Sequence, residues 1–179
     1  MNTVPKDPRY PIGRYTATQF SGAQKTEWLN DIKQLPGVLE YAIQNLDENQ
    51  LNTPYREGGW TVKQLVHHVA DSHINAYVRF KLGLTENNPT IKPYDEGAWA
   101  ELPDTNALPI NVSLTLLHAL HLRWFALLEH MKDEEFLKTV FHPERKTELT
   151  LWNLLGTYAW HGKHHVAHIT TLRDNMNWH

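Results

Sequence analysis

The sequence predicts an all-α protein: a four-helix bundle with one long crossover loop between its second and third helices. Two observations carry that expectation. Four stretches space their apolar residues at helical intervals, and the alternating strand signals that an α/β fold needs are missing. The 179 residues suit one domain, 1–179, able to bury roughly 70% of its unfolded surface. A hydrophobic content of 41%, with 11% aromatic, is enough for a packed core and argues against disorder.

The first helix follows from Trp28, Ile32, Leu35, Leu39, Ala42 and Leu46, which step 4, 3, 4, 3, 4 along one face. Pro36 is expected to kink it. After a polar break from Asp47 to Gly59, Thr61 and Gln64 read as a capping box opening the second helix. Its core side is Val62, Leu65, Val66, Val69, Ala76 and Phe80. Between Gly83 and Pro109 no period survives, and Pro89, Pro93, Pro103 and Pro109 exclude a continuous helix. Connections this long are usually functional, so the segment, with Tyr94, Asp95 and Trp99, reads as a candidate lid.

The third helix carries Ile110, Leu114, Leu117, His121, Trp124, Leu128 and Met131 on one seam. Thr139-Val140-Phe141 and Glu148-Leu149-Thr150, flanking His142-Pro143-Glu144, read as a small hairpin. The fourth helix begins near Thr150, and one of its seams passes from Leu151, Leu154 and Tyr158 to His161, His165 and His168 before returning to Leu172.

Lys+Arg 17 against Asp+Glu 20 gives a net charge of −3, without the basic footprint that nucleic acid or an anionic membrane surface calls for. Cysteine is absent, which removes disulfides, zinc fingers, iron–sulfur clusters and cysteine nucleophiles. No apolar stretch of about 18 residues exists, and Met1 to Tyr15 has no apolar leader core, so a cytoplasmic location is expected. The anomaly is twelve histidines.

His161 and His165, four apart on a helix seam that continues into the core, suit two ligands of one divalent metal. The second helix offers His67 and His68, of which His68 lies one turn beyond Leu65 toward the inside, with Asp71 and Ser72 following where a partner could orient an imidazole. His118 and His121 read as pocket lining or core. His164 reads as solvated, and His73, His130, His142 and His179 default to the surface. A di-iron bundle needs Glu-x-x-His pairs, and no glutamate here has a histidine three residues on. No His-Glu-x-x-His, nucleophile elbow or phosphate loop is present.

The runs Gly58-Gly59-Trp60-Thr61-Val62-x-Gln64-x-x-His67-His68-x-Ala70-Asp71-Ser72-His73 and Trp160-His161-x-x-His164-His165-x-Ala167-His168, with Tyr77-x-Arg79-Phe80, resemble the YfiT-like branch of the DinB-like superfamily. The resemblance runs from about Tyr10 to Trp178 and takes in Tyr10-Pro11-Ile12-Gly13, Pro54-Tyr55-Arg56 and Pro93-Tyr94-Asp95. It implies a four-helix bundle, often a homodimer, holding one divalent metal per chain, Zn or Ni, on three histidines, and by position it selects His68 beside His161 and His165. It further implies a metal-dependent hydrolase, or a relative that transfers a low-molecular-weight thiol such as bacillithiol to a small-molecule electrophile.

The expected chemistry is attack by a metal-activated water or cosubstrate thiol. Asp71 is assigned to orienting a ligand, and Arg79, Asp95 and His168 to substrate contacts. The competing expectation is a non-catalytic bundle that metal merely stabilises, in which His121 or His168 would close the site as a fourth ligand.

Overall fold

Three of the four long helices start where the chain supplies an acceptor for their free amide groups. The computed structural model describes residues 7–178. Helix α1 spans Gly22–Ile43 behind Ser21, whose hydroxyl accepts from the Gln24 amide. After the short α2, Glu48–Leu51, helix α3 spans Val62–Thr85 behind the Thr61/Gln64 capping box that the sequence predicts. Two short helices follow, α4 (Glu96–Ala100) and α5 (Pro103–Ala107), and then α6, Ile110–Glu129. A single 3₁₀ turn leads into the hairpin β1 (Thr139–His142) and β2 (Thr147–Thr150), and Thr150 caps α7, Leu151–Met176. Pro36, expected to bend the first helix, lies within an unbroken α1.

The bundle's order is not the simple up-and-down one. Helix α1 packs on α6 and α7, and α3 packs on the same two, so the sequence neighbours α1/α3 and α6/α7 occupy diagonals. Direction follows from matched residues. His67 meets Ser113 and His73 meets His121, so α3 and α6 run side by side in the same sense. Trp28 meets Trp152 and Leu35 meets Gly162, so α1 and α7 do too. Arg79 bonds Tyr158 while His68 bonds His161, which sets α3 against α7. A parallel pair of neighbours cannot be joined by a tight turn. The chain leaving α3 must return the length of α6, about 30 Å for its 20 residues, before α6 can begin.

That return path is the segment expected to be a lid, and the structure corrects the expectation. The Ile91 amide donates to the Phe141 carbonyl, and the Phe141 amide to the Pro89 carbonyl. Ile91, Ala100 and Thr105 are buried, while Gln64 and Lys63 of α3 bond the Ala100 and Asn106 carbonyls. Periodicity missed α4 and α5 because five residues are too few to show a stripe.

The apolar core falls into two halves. One holds Trp28, Ile32, Ala76, Phe80, Trp124, Leu128, Leu151 and Leu155. The other holds Leu35, Leu39, Val62, Leu65, Leu114, Leu117, Ile169 and Leu172. Each long helix passes from one half to the other, and three of them put histidine at the crossing: His68 and His73 on α3, His121 on α6, His161 and His165 on α7. No helix is long and apolar enough to cross a membrane among the described residues.

The parallel α1/α7 pair requires close approach at Gly156, where an added Cβ would lie 2.5 Å from the Trp28 indole and from the Tyr15 hydroxyl. Gly156→Val is expected to lower stability by about 2 kcal/mol through overpacking. Gly37→Ala, with nothing within 4 Å of its new Cβ on the exposed face of α1, is expected to raise it by about 0.5–1 kcal/mol. Urea midpoints of the two variants check both signs.

Candidate metal centre

His161 and His165 lie one turn apart on α7, and His68 reaches them from α3 across the bundle. Their Nε2 atoms converge: His68 to His161 is 3.3 Å and His165 to His161 is 3.0 Å. One ring nitrogen from each lies within 4.8 Å of the other two, and no fourth histidine or carboxylate joins the group among the described residues. Nitrogen donors bound at about 2.0–2.1 Å around one tetrahedral ion sit about 3.3–3.4 Å apart, so the three imidazoles fit a small divalent cation. The Trp60 ring, 4.6 Å from that of His68, covers the group on one side.

Burial keeps these imidazoles neutral. It pushes His68 down to about 4, and His161 and His165 fall well below the usual histidine range through burial and then through the neighbouring imidazoles. A neutral ring offers the lone pair that coordination requires, with no proton to displace at neutral pH.

The remaining histidines separate by what they touch. His67 points elsewhere, its Nδ1 2.7 Å from the Ser113 hydroxyl. His73, expected at the surface, is fully buried, with Nε2 3.2 Å from His161 Nδ1 and Nδ1 3.0 Å from His121 Nε2. The sequence did hold a signal for it. Val69, His73, Ala76 and Phe80 form a single stripe at helical spacing, so a core position was there to be read. His121 is buried as its seam predicts and does not join the ligand group.

His164 is likewise buried rather than solvated, paired with His168 at 3.2 Å between Nε2 atoms. Burial, and to a lesser degree the positive charge on nearby Arg56, lowers both pKa values, and that same charge disfavours a second cation there. His118 is exposed, 3.1 Å from Glu40, and His130 is exposed and bonds the Ala126 carbonyl. His142 is buried at the end of β1, where its Nδ1 accepts from the Arg145 amide. His179 lies outside the described residues.

A cavity of about 480 Å³ opens beside the centre, walled by His161, Arg79, Tyr94, His142, Arg145 and Tyr158. Arg79 donates to the Tyr158 hydroxyl at 2.8 Å and to the Lys92 carbonyl at 3.3 Å, which fixes its guanidinium on the wall. None of the other three assigned residues joins the converging imidazoles. Asp95 caps α4 by accepting from the Ala98 amide. His168 packs on Tyr55 along a separate groove. The Asp71 carboxylate bonds no histidine, and burial and then the nearby Asp104 raise it to about 6.

Comparison with known proteins places this arrangement. The DinB superfamily model matches residues 31–169, which include all three converging histidines. This chain belongs to the DinB superfamily. A Bacillus mycoides (strain KBAB4) protein named "Putative metal-dependent hydrolase" is 54% identical to this superfamily member over 177 residues, covering 97% of this chain and 99% of its own. A Bacillus cereus (strain 03BB102) protein of the same name is 54% identical over 173 residues, covering 96% and 99%. The solved structure of YfiT from Bacillus subtilis, described as "a probable metal-dependent hydrolase with an unusual four-helix bundle topology", superposes with a TM-score of 0.94 at 48% identity, covering 96% of this chain and 99% of that one.

Burying so many neutral histidines makes its stability depend on pH. Free histidine titrates near 6.5, whereas burial pushes His68, His121, His164 and His168 down to about 4 and holds His73, His161 and His165 well below the ordinary value. Below about 6.5 the unfolded chain therefore binds more protons than the folded one. The contribution is complete above that pH and is lost as pH falls toward 4, at up to about 1.4 kcal/mol per pH unit for each histidine. Urea titrations of metal-free protein are expected to give a midpoint that drops steeply between pH 6.5 and 5. A flat profile there would contradict neutral burial.

Proposed function

We propose that this protein is a divalent-metal-dependent hydrolase of a small electrophile, with zinc or nickel held by His68, His161 and His165. The observation that carries the reading is the convergence of three buried, neutral imidazoles beside a cavity with His161 in its wall. Three nitrogen donors, with no fourth protein ligand in the group, leave coordination room for a reacting molecule, the pattern of catalytic rather than structural sites. A divalent ion at this point supplies Lewis acidity, bringing the pKa of a coordinated water toward about 7.

The chain's own groups do the rest. Arg79, anchored by Tyr158 and Lys92, and Arg145 present two cations to the cavity, where negative charge develops on an attacked carbonyl or similar centre. Glu96 and Glu144, in the same wall, are the carboxylates available to accept a proton.

A coordinated thiol in place of water would make the same site an S-transferase. Because the chain has no cysteine, that thiol would enter as a cosubstrate, and 480 Å³ leaves room for one.

Elemental analysis of purified wild type beside His68→Ala, His161→Ala and His165→Ala is expected to find one metal per chain in the first and a loss in all three variants. Metal-loaded wild type is then expected to cleave esters or amides without added thiol. Turnover only when a thiol and an electrophile are supplied together would replace hydrolysis by transfer. Stoichiometric metal without either activity would favour a metal-stabilised bundle, and no metal at all would overturn the reading.

A further inference from the structure

Of the three converging histidines, only His161 is braced from behind. Its Nδ1 lies 3.2 Å from His73 Nε2, His73 Nδ1 lies 3.0 Å from His121 Nε2, and His121 Nδ1 lies 2.6 Å from the Ile32 carbonyl oxygen. The rings suit in-plane bonds. The His73 and His121 planes differ by 20° with centroids 5.0 Å apart, and the His73 and His161 planes by 35° with centroids 5.4 Å apart. With nitrogens 3.0 and 3.2 Å apart, both pairs are within hydrogen-bond reach through their ring nitrogens. By contrast, the Nδ1 of His165 is buried without a partner.

The polarity of this track is fixed at one end. A carbonyl oxygen can only accept, so His121 must carry its proton on Nδ1, which leaves Nε2 as an acceptor. His73 must then donate from Nδ1 and accept at Nε2, and His161 must donate from Nδ1. The one nitrogen of His161 left with a free lone pair is Nε2, the atom that faces His68 and His165.

The sequence explains why that carbonyl is free. Ile32 lies four residues before Pro36, and proline has no N–H to close the helical bond, so inside α1 the Ile32 oxygen lacks its ordinary partner. The His121 ring fills the vacancy.

We propose that His73 and His121 are positioning residues that fix the proton of His161 on Nδ1 and so aim its Nε2 at the metal, with the Pro36-released carbonyl of Ile32 setting the direction. The proposal rests on the three-histidine centre described above. Neither residue belongs to the converging group, and partners of this kind typically change metal affinity about 10- to 100-fold.

The test uses full-length protein and zinc alone. In metal-free wild type, ¹⁵N imidazole spectra are expected to show His161, His73 and His121 all protonated on Nδ1, the opposite of the form a free histidine side chain favours. His73→Leu and His121→Leu are expected to weaken zinc binding about 10- to 100-fold in competition with a chelator. His73→Gln and His121→Gln, which still offer one donor and one acceptor in the same order, are expected to stay within a few-fold of wild type.

A structural role alone would lower the unfolding midpoint of the leucine variants while leaving the zinc affinity of folded protein unchanged, and that result overturns the proposal. Protonation of His161 on Nε2 in wild type overturns it too, and is readable even if the leucine variants fail to fold. Wild type that binds no zinc would instead sink the metal centre itself, a distinct result.

Discussion

Everything in this bundle answers to one demand: a layer of uncharged imidazoles has to be buried between two apolar halves. A buried polar group without a partner costs about 1–3 kcal/mol. Along the His161–His73–His121 track each bond uses one nitrogen to give and one to take, while the Nε2 atoms of His68, His161 and His165 face one another. Those pairings join α3, α6 and α7, and the last bond reaches the backbone of α1. The layer therefore fixes helix register. A slip of one residue on any helix would set an imidazole against leucine and remove an acceptor from its neighbour.

The apolar stripes and the Thr61/Gln64 box were legible in the sequence because they are local signals with fixed periods. The histidine-to-leucine change along the fourth helix was legible for the same reason. Relative direction was not. That α1 lies parallel to α7 depends on which faces meet, and glycines such as Gly156 reveal that only once the Trp28 indole is seen against them.

The site was read unevenly. His161 and His165 stood out because a four-residue spacing places both on one face, and His68 was preferred to His67 by its place one turn beyond Leu65 and then by family resemblance. His73 was set aside as a surface residue although its stripe pointed inward, since a lone histidine between apolar neighbours is usually discounted. Asp71 looked like the natural orienting group because carboxylates often hold ligand imidazoles. Here it is His73 that lies against His161, and the Asp71 carboxylate bonds no histidine. Pro36 was read as a kink, but its missing N–H leaves the Ile32 oxygen open to His121.

The return path between α3 and α6 has a consequence for how such proteins diversify. Its length is imposed by geometry, because two parallel neighbours must be joined across the full height of the bundle. Along the way Pro93, Tyr94 and Glu96 form part of the cavity wall. A stretch whose covalent duty is only to cover distance can exchange side chains there at little cost to the ligands, which sit on the helices. On the proposed reading, the architecture keeps the converging imidazoles on the helices apart from this part of the cavity wall, so one can be inherited while the other changes.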